Sequence, residues 1–307
     1  MKQWHLLLIL LLVGVFGACS GRQKQPTPSA QRPLHDFVLP QPPVTMTQPQ
    51  QAEYLRDHYW DHFRFSDTTA LATVDTMAML RHFGLYASIC ALQPTNGEPM
   101  RRLMQRAASS RAMCDLFLYL ADMVLHDPNS PLRNDEFYIP ILETQLATAW
   151  YDTYERIAPT YDLEMARKNR IGHPANDFRY TTADGRSHTL YTLQAEYLLL
   201  FFNNPDCAMC KEIREAIDAS ELLSALIAEG RLKVLALYPD EDLQAWHNYR
   251  KQIPASWINA YDAEGQIRNE ERYSLNAIPS LYLLDHQKRV IFKDSTDVGA
   301  LEAFLGQ

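Results

Sequence analysis

Hydrophobic and polar positions divide this chain into stretches of different period. From 51 to 170, apolar residues recur at helical spacing and glycine is almost absent. Tyr54, Leu55, Tyr59, Trp60 and Phe63 share one face of a helix over 52–63. Asp67 is placed to cap a helix running through Leu71, Val74, Met77 and Leu80 towards Leu92. Pro94-Thr95-Asn96-Gly97 breaks the pattern, and a helix over 98–125 follows, ending at Asp127-Pro128-Asn129-Ser130-Pro131. Segments 136–156 and 163–169 supply two more, with Pro159 between them. Residues 51–170 therefore read as an all-α domain of four or five helices. Within it, Met100, Met104, Met113 and Met123 form a stripe better explained by core packing than by a binding groove.

Near 171 the period changes. Arg179-Tyr180-Thr181-Thr182 and Ser187-His188-Thr189-Leu190 flank Asp184-Gly185, a strong hairpin signal. Tyr197 to Phe202 is a continuous apolar run, as a strand buried on both faces would be. Leu232–Tyr238, Ser280–Asp285 and Val290–Lys293 read as further strands, the last two joined by the polar turn His286-Gln287-Lys288-Arg289. Helical segments lie between them and at 298–305. Strands alternating with helices predict an α/β domain over 171–307, with a sheet of about five strands.

The amino-terminal 50 residues have neither period. Lys2 and the apolar run Leu6 to Phe16 make a leader too short to span a bilayer. Phe16-Gly17-Ala18-Cys19 resembles a bacterial lipobox, which implies a signal peptide over 1–18, cleavage before Cys19 and acylation of that residue. Ser20 after the cysteine, by resemblance to lipoprotein sorting rules, points to an outer rather than an inner membrane. Without an acidic cluster behind it, the expected face is periplasmic. Seven prolines between 20 and 50 predict an extended tether over 19–50.

Composition changes this picture little. An apolar fraction of 47% suits globular domains, and a formal charge of −8 with no basic patch argues against nucleic acid. The remaining cysteines are Cys90, Cys114, Cys207 and Cys210. On an antiparallel helical hairpin turning at 94–97, Cys90 and Cys114 would be offset by roughly 15–20 Å, so two buried free thiols are expected.

Cys207-Ala208-Met209-Cys210 carries the chemistry. It follows a buried strand and opens a helix, so a thiol in the first turn lies beside unpaired N–H groups and the positive end of the helix dipole. A second thiol one turn on can close a small disulfide ring. Such a pair exchanges disulfides: Cys207 attacks and Cys210 resolves. A zinc site needs a second ligand pair, and none is spaced for it, so neither metal nor cofactor is expected. A purely structural disulfide is the other alternative. Ile278-Pro279 precedes a strand, where a cis X-Pro bond would present backbone at an edge.

These residues carry a resemblance. Gly172, Ala175 and Asp177-Phe178 with Asp184-Gly185, the strand ending Phe201-Phe202-Asn203-Asn204-Pro205-Asp206-Cys207, and Ile278-Pro279 together resemble the thioredoxin superfamily. The nearest branch is that of membrane-anchored TlpA/ResA-type, redoxin-like domains. The resemblance implies a thioredoxin-like fold, a cis Pro279 packed against the cysteine pair, and Ile278 backbone pairing with a substrate polypeptide. The helical part resembles an uncharacterised domain that precedes thioredoxin modules in Bacteroidetes lipoproteins. Three positions depart from the pattern. Asp206 replaces a tryptophan, Phe201 a buried aspartate, and Ile213 a glutamate.

The expected function is a periplasmic, membrane-anchored thiol–disulfide oxidoreductase that exchanges disulfides with protein substrates and an upstream thiol/disulfide donor. Ala208-Met209 offers no cation to stabilise a thiolate, so a reductant or isomerase is expected over a strong oxidant. The alternatives are an interaction module with non-essential cysteines, and a peroxide-reducing enzyme that lacks the usual setting of a single peroxidatic cysteine.

Overall fold

The structure, a computed structural model, describes residues 32–92 and 96–307. The leader 1–18, Cys19, most of the first half of the tether and part of the break at 94–97 lie outside the described residues.

Among those described, the helical domain contains α1 (Gln48–His58), α2 (Thr76–Ala91), α3 (Glu98–Ala107), α4 (Arg111–Ala121), α5 (Asp135–Ala147) and α6 (Ile157–Arg167). Its core is aromatic. Trp60 stacks on Phe37 at 5.3 Å and meets Phe117 edge-on at 5.3 Å, with Tyr59, Phe63 and Tyr86 around them. Met100, Met104 and Met113 are buried in the same core, whereas Met123 is exposed. Cys90 and Cys114 are free and buried, as expected.

Several boundaries differ from the sequence reading. Asp67 caps only a short 3-10 turn, and α2 is capped by Asp75, whose carboxylate accepts the Met77 and Ala78 N–H groups. The helix expected over 98–125 is two helices. It breaks at Ala108-Ser109, and Ser110 caps α4 through Oγ, because serines compete with the helix for backbone partners. The segment expected over 136–156 stops at Ala147, where the Arg156 guanidinium takes the carbonyls of Leu146, Thr148 and Tyr151. Pro159 lies in the first turn of α6, where its missing N–H costs nothing, and does not separate helices. The tether expected to run to 50 is shorter. Leu34 and Phe37 are already buried in the helical core, so apolar residues scattered among prolines suffice to dock the chain from Pro33.

The α/β domain has seven described strands: β1 (Arg179–Thr182), β2 (Ser187–Thr189), β3 (Tyr197–Phe202), β4 (Leu232–Tyr238), β5 (Ile258–Tyr261), β6 (Ser280–Asp285) and β7 (Val290–Ser295). They form one mixed sheet in the order β2-β1-β5-β4-β3-β6-β7. Central β3 is parallel to β4 and antiparallel to β6. Its side chains alternate between two cores, Leu199 and Phe201 on one face and Leu198, Leu200 and Phe202 on the other. Burying each is worth roughly 1.5–3 kcal/mol, which explains the uninterrupted apolar run. α7 (Ala208–Ala219), α8 (Glu221–Ala228), α9 (Leu243–Tyr249) and α10 (Val298–Leu305) complete the domain. Leu199 and Phe201 face the core that holds α7, α8 and α10.

The two domains meet through buried charge. The Lys293 ammonium on β7 pairs with Asp135 at 2.7 Å and donates to the carbonyls of Ala166 at 2.7 Å and Lys168 at 2.6 Å. Arg133 pairs with Asp294 at 2.9 Å. Burial pushes the Asp294 carboxyl up, and the Arg133 guanidinium opposes that shift.

Candidate functional site

β3 ends where the site begins. Asn203 continues the ladder, its N–H donating to the Leu237 carbonyl at 3.1 Å. Its amide nitrogen donates to the Phe201 and Leu237 carbonyls, so this buried polar side chain is satisfied at the strand end. Asn204 donates to Asp240 at 2.7 Å, and Asp240 pairs with Arg268 at 2.6 Å. These contacts fix the loop that carries Pro205-Asp206 into the motif.

Cys207 and Cys210 form a disulfide with a Cα–Cα separation of 5.2 Å. Cys207 is the N-cap residue of α7, one position earlier than the expected first turn, and its Sγ accepts the Cys210 N–H at 3.0 Å. An N-cap sulfur is thus held by a backbone donor at the positive end of the helix dipole. Cys210 is fully buried and Cys207 only partly so, while Asp206 and Met209 are exposed. The two sulfurs therefore differ in access, with Cys207 towards solvent.

Ile278-Pro279 is cis, and the Ile278 carbonyl lies 3.6 Å from Cys207 Sγ. The fold thus brings 207, 210, 278 and 279 together, although Cys207 and Ile278 are 71 positions apart in sequence. The core that holds Cys210 has Phe201 and Ile213 at the two positions where the family pattern has carboxylates. Phe201 is fully buried against Trp257, and Ile213 is buried one turn along α7. Glu212 and Glu215 face solvent. Among the described residues, no group of three or more His, Cys, Asp or Glu side chains could hold a metal.

Sequence reasoning missed Arg214. It is only 7% exposed, on the same face of α7 as Cys210, Ile213 and Ile217. Its guanidinium donates to the Tyr249 hydroxyl at 3.2 Å and to Gln252 at 3.5 Å. The signal was present: an arginine four residues after Cys210, in register with the apolar stripe. Tyr249 and Gln252 also border a cleft of about 350 Å³ whose opposite wall is Pro205-Asp206.

Comparison with known proteins agrees with this geometry. Residues 195–290 match the family model described as Thioredoxin-like, and residues 18–169 match a Domain of unknown function (DUF5106). The crystal structure of a thioredoxin-like protein from Bacteroides caccae is 40% identical. It covers 88% of this chain and 98% of its own, with a TM-score of 0.82. The C-terminal domain of an uncharacterized protein from Bacteroides fragilis is 44% identical over 45% of this chain and 99% of its own, with a TM-score of 0.44. No curated protein matches significantly. The chain belongs to the thioredoxin-like proteins, its thioredoxin-like α/β domain preceded by the helical domain of unknown function.

Proposed function

We propose that this protein is a thiol–disulfide oxidoreductase that exchanges disulfides with protein substrates through Cys207 and Cys210. The observation that carries this reading is the asymmetric pair itself. A partly exposed N-cap sulfur is bonded to a fully buried one, beside the cis Ile278-Pro279 peptide.

In the reduced protein, the Cys207 thiolate is stabilised by the Cys210 N–H and the α7 dipole. It attacks one sulfur of a substrate disulfide, forming a Cys207–substrate bond as the other substrate sulfur leaves with the electron pair and takes up a proton. Cys210 then gives up its proton and attacks Cys207 Sγ. The intramolecular disulfide forms, and the second substrate thiol departs. The substrate gains two electrons and the cysteine pair loses two, which an upstream dithiol must restore. Ile278 would align the substrate backbone by strand addition, next to Pro279. Exposed Asp206 beside Cys207 disfavours the thiolate, and Ala208-Met209 offers no cation, so a reductant or isomerase is favoured over a strong oxidant.

The leader, the Phe16-Gly17-Ala18-Cys19 sequence and the prolines that follow support a lipid anchor at Cys19. That anchor would hold the protein in the cell envelope, at the outer membrane and facing the periplasm.

Cys210→Ser tests the reading. Produced with its leader in a bacterial envelope, this variant should accumulate client proteins in mixed disulfides with Cys207. These should run as reductant-sensitive adducts and vanish when Cys207→Ala is added. If no Cys207-linked adduct forms, the proposal fails.

A further inference from the structure

Resolution of the mixed disulfide requires Cys210 to become a thiolate in a fully buried position, which desolvation opposes. Phe201 and Ile213, which share its core, offer no carboxylate to take its proton. What the fold does place on the buried face of α7 that carries Cys210 is a cation. Arg214 is one helical turn from Cys210 on the same face, and i,i+4 positions are neighbours about 5–6 Å apart at Cβ. Side chains on a helix lean towards its amino terminus, so Arg214 covers the turn that holds Cys210. Its contacts agree with that direction: Tyr249 and Gln252, which hold the guanidinium, face Pro205-Asp206 across the cleft at the start of α7.

We propose that Arg214 is a positioning residue for disulfide exchange, a buried cation that makes the Cys210 thiolate accessible near neutral pH. This deepens the oxidoreductase reading above and rests on it. The surroundings leave that charge effective. β3, α8 and α10 present Phe201, Leu223, Leu226 and Leu301 to this core, and Ile278-Pro279 carries no titrating group. Among the described residues, the charged or titratable groups that meet the guanidinium, its ion pair or the adjoining cleft are the Tyr249 hydroxyl, Glu215, Lys211, Asp206 and Asp242. Glu215 lies 3.5 Å from the guanidinium, but its side chain is 58% exposed, so solvent weakens its hold. Lys211 pairs loosely with Glu215 at 3.9 Å, and Asp206 and Asp242 line the open cleft.

In the step concerned, the Cys210 Sγ–Cys207 Sγ bond forms and the Cys207–substrate bond breaks. The departing substrate sulfur takes the electron pair, and the Cys210 proton passes to solvent. The test follows this step in the reduced full chain, mixed with glutathione disulfide and acid-quenched at intervals between pH 5 and 9. Mass spectrometry reports the glutathione adduct on Cys207. With Arg214→Met, the adduct should persist on the order of tenfold longer at pH 7, and the pH midpoint of its decay should rise by about one unit. Arg214→Lys keeps the charge and should restore the wild-type profile to within about threefold. Adduct formation, which depends on Cys207, should be similar in all three proteins. Superimposed profiles for Arg214→Met and wild type overturn the proposal. So does an Arg214→Lys profile shifted as far as that of Arg214→Met, because the fork and its packing would then matter and not the charge. A wild-type protein that yields neither the Cys207 adduct nor the Cys207–Cys210 disulfide overturns the oxidoreductase reading itself, a distinct result.

Discussion

Replacing Lys293 with methionine tests whether one buried ammonium holds the domain junction. The Lys293 side chain is 5% exposed and the Asp135 side chain 16%. Two of its three partners, the carbonyls of Ala166 and Lys168, lie at the carboxyl end of α6, where backbone oxygens lack helical partners and the dipole is negative. Lys293 thus caps the last helix of one domain from a strand of the other. Methionine preserves most of the apolar stem, so the loss is polar: Asp135 loses its cation and both carbonyls lose their donor. Removing one member of a buried ion pair costs about 3–5 kcal/mol. At about 2–4 °C per kcal/mol for a unit of this size, the melting temperature should fall by roughly 6–20 °C. Urea unfolding followed by tryptophan fluorescence measures the free energy directly. In a double-mutant cycle, Asp135→Asn with Lys293→Met should cost less than the sum of the single changes by at least about 1.5 kcal/mol. A loss below about 1 kcal/mol for Lys293→Met, or additive effects in the cycle, would refute the assignment.

Two further outcomes are expected. Burial pushes the Cys90 thiol up to about 12 and raises Cys114 as well. After reduction, iodoacetamide at pH 8 should therefore modify the peptide containing Cys207 in the native protein, and those containing Cys90 and Cys114 only in denaturant; labelling of either without denaturant would contradict their burial. Glu143 joins three helices, taking Arg101 of α3 at 2.6 Å and Arg167 of α6 at 2.7 Å. Burial works against its charge, but the two guanidiniums outweigh it and hold the carboxyl below its usual 4.5. A depressed folded value means stability that is present above 4.5 and lost as the pH falls through the lower folded value. Glu143→Gln should cost about 1 kcal/mol at pH 7, the pair being partly exposed, and nothing once the pH is below the folded value. A difference that persists in acid would assign the loss to packing.

The sequence by itself determined the cysteine pair and the class of each domain. Cys207 and Cys210 follow an apolar run that only a doubly buried strand requires, and Ile278-Pro279 stands before another strand. Local pattern suffices there, because strand burial and the strand-to-helix turn are written in neighbouring residues. Tertiary structure decided what depends on distant partners. β5, only Ile258-Asn259-Ala260-Tyr261, is a strand because β4 and β1 pair with it on either side. Leu34 and Phe37 leave the proline-rich segment for a core built mainly by residues beyond 58. Arg156 ends α5 from ten residues away, and Lys293 caps α6 from the other domain. The same holds at the cysteine pair. The motif names the two sulfurs, but their unequal exposure, the Ile278 carbonyl beside Cys207 and the guanidinium of Arg214 come from packing α7 against β6 and α9. Local chemistry is set by which residues are adjacent in the chain, and its environment by which surfaces the fold buries together.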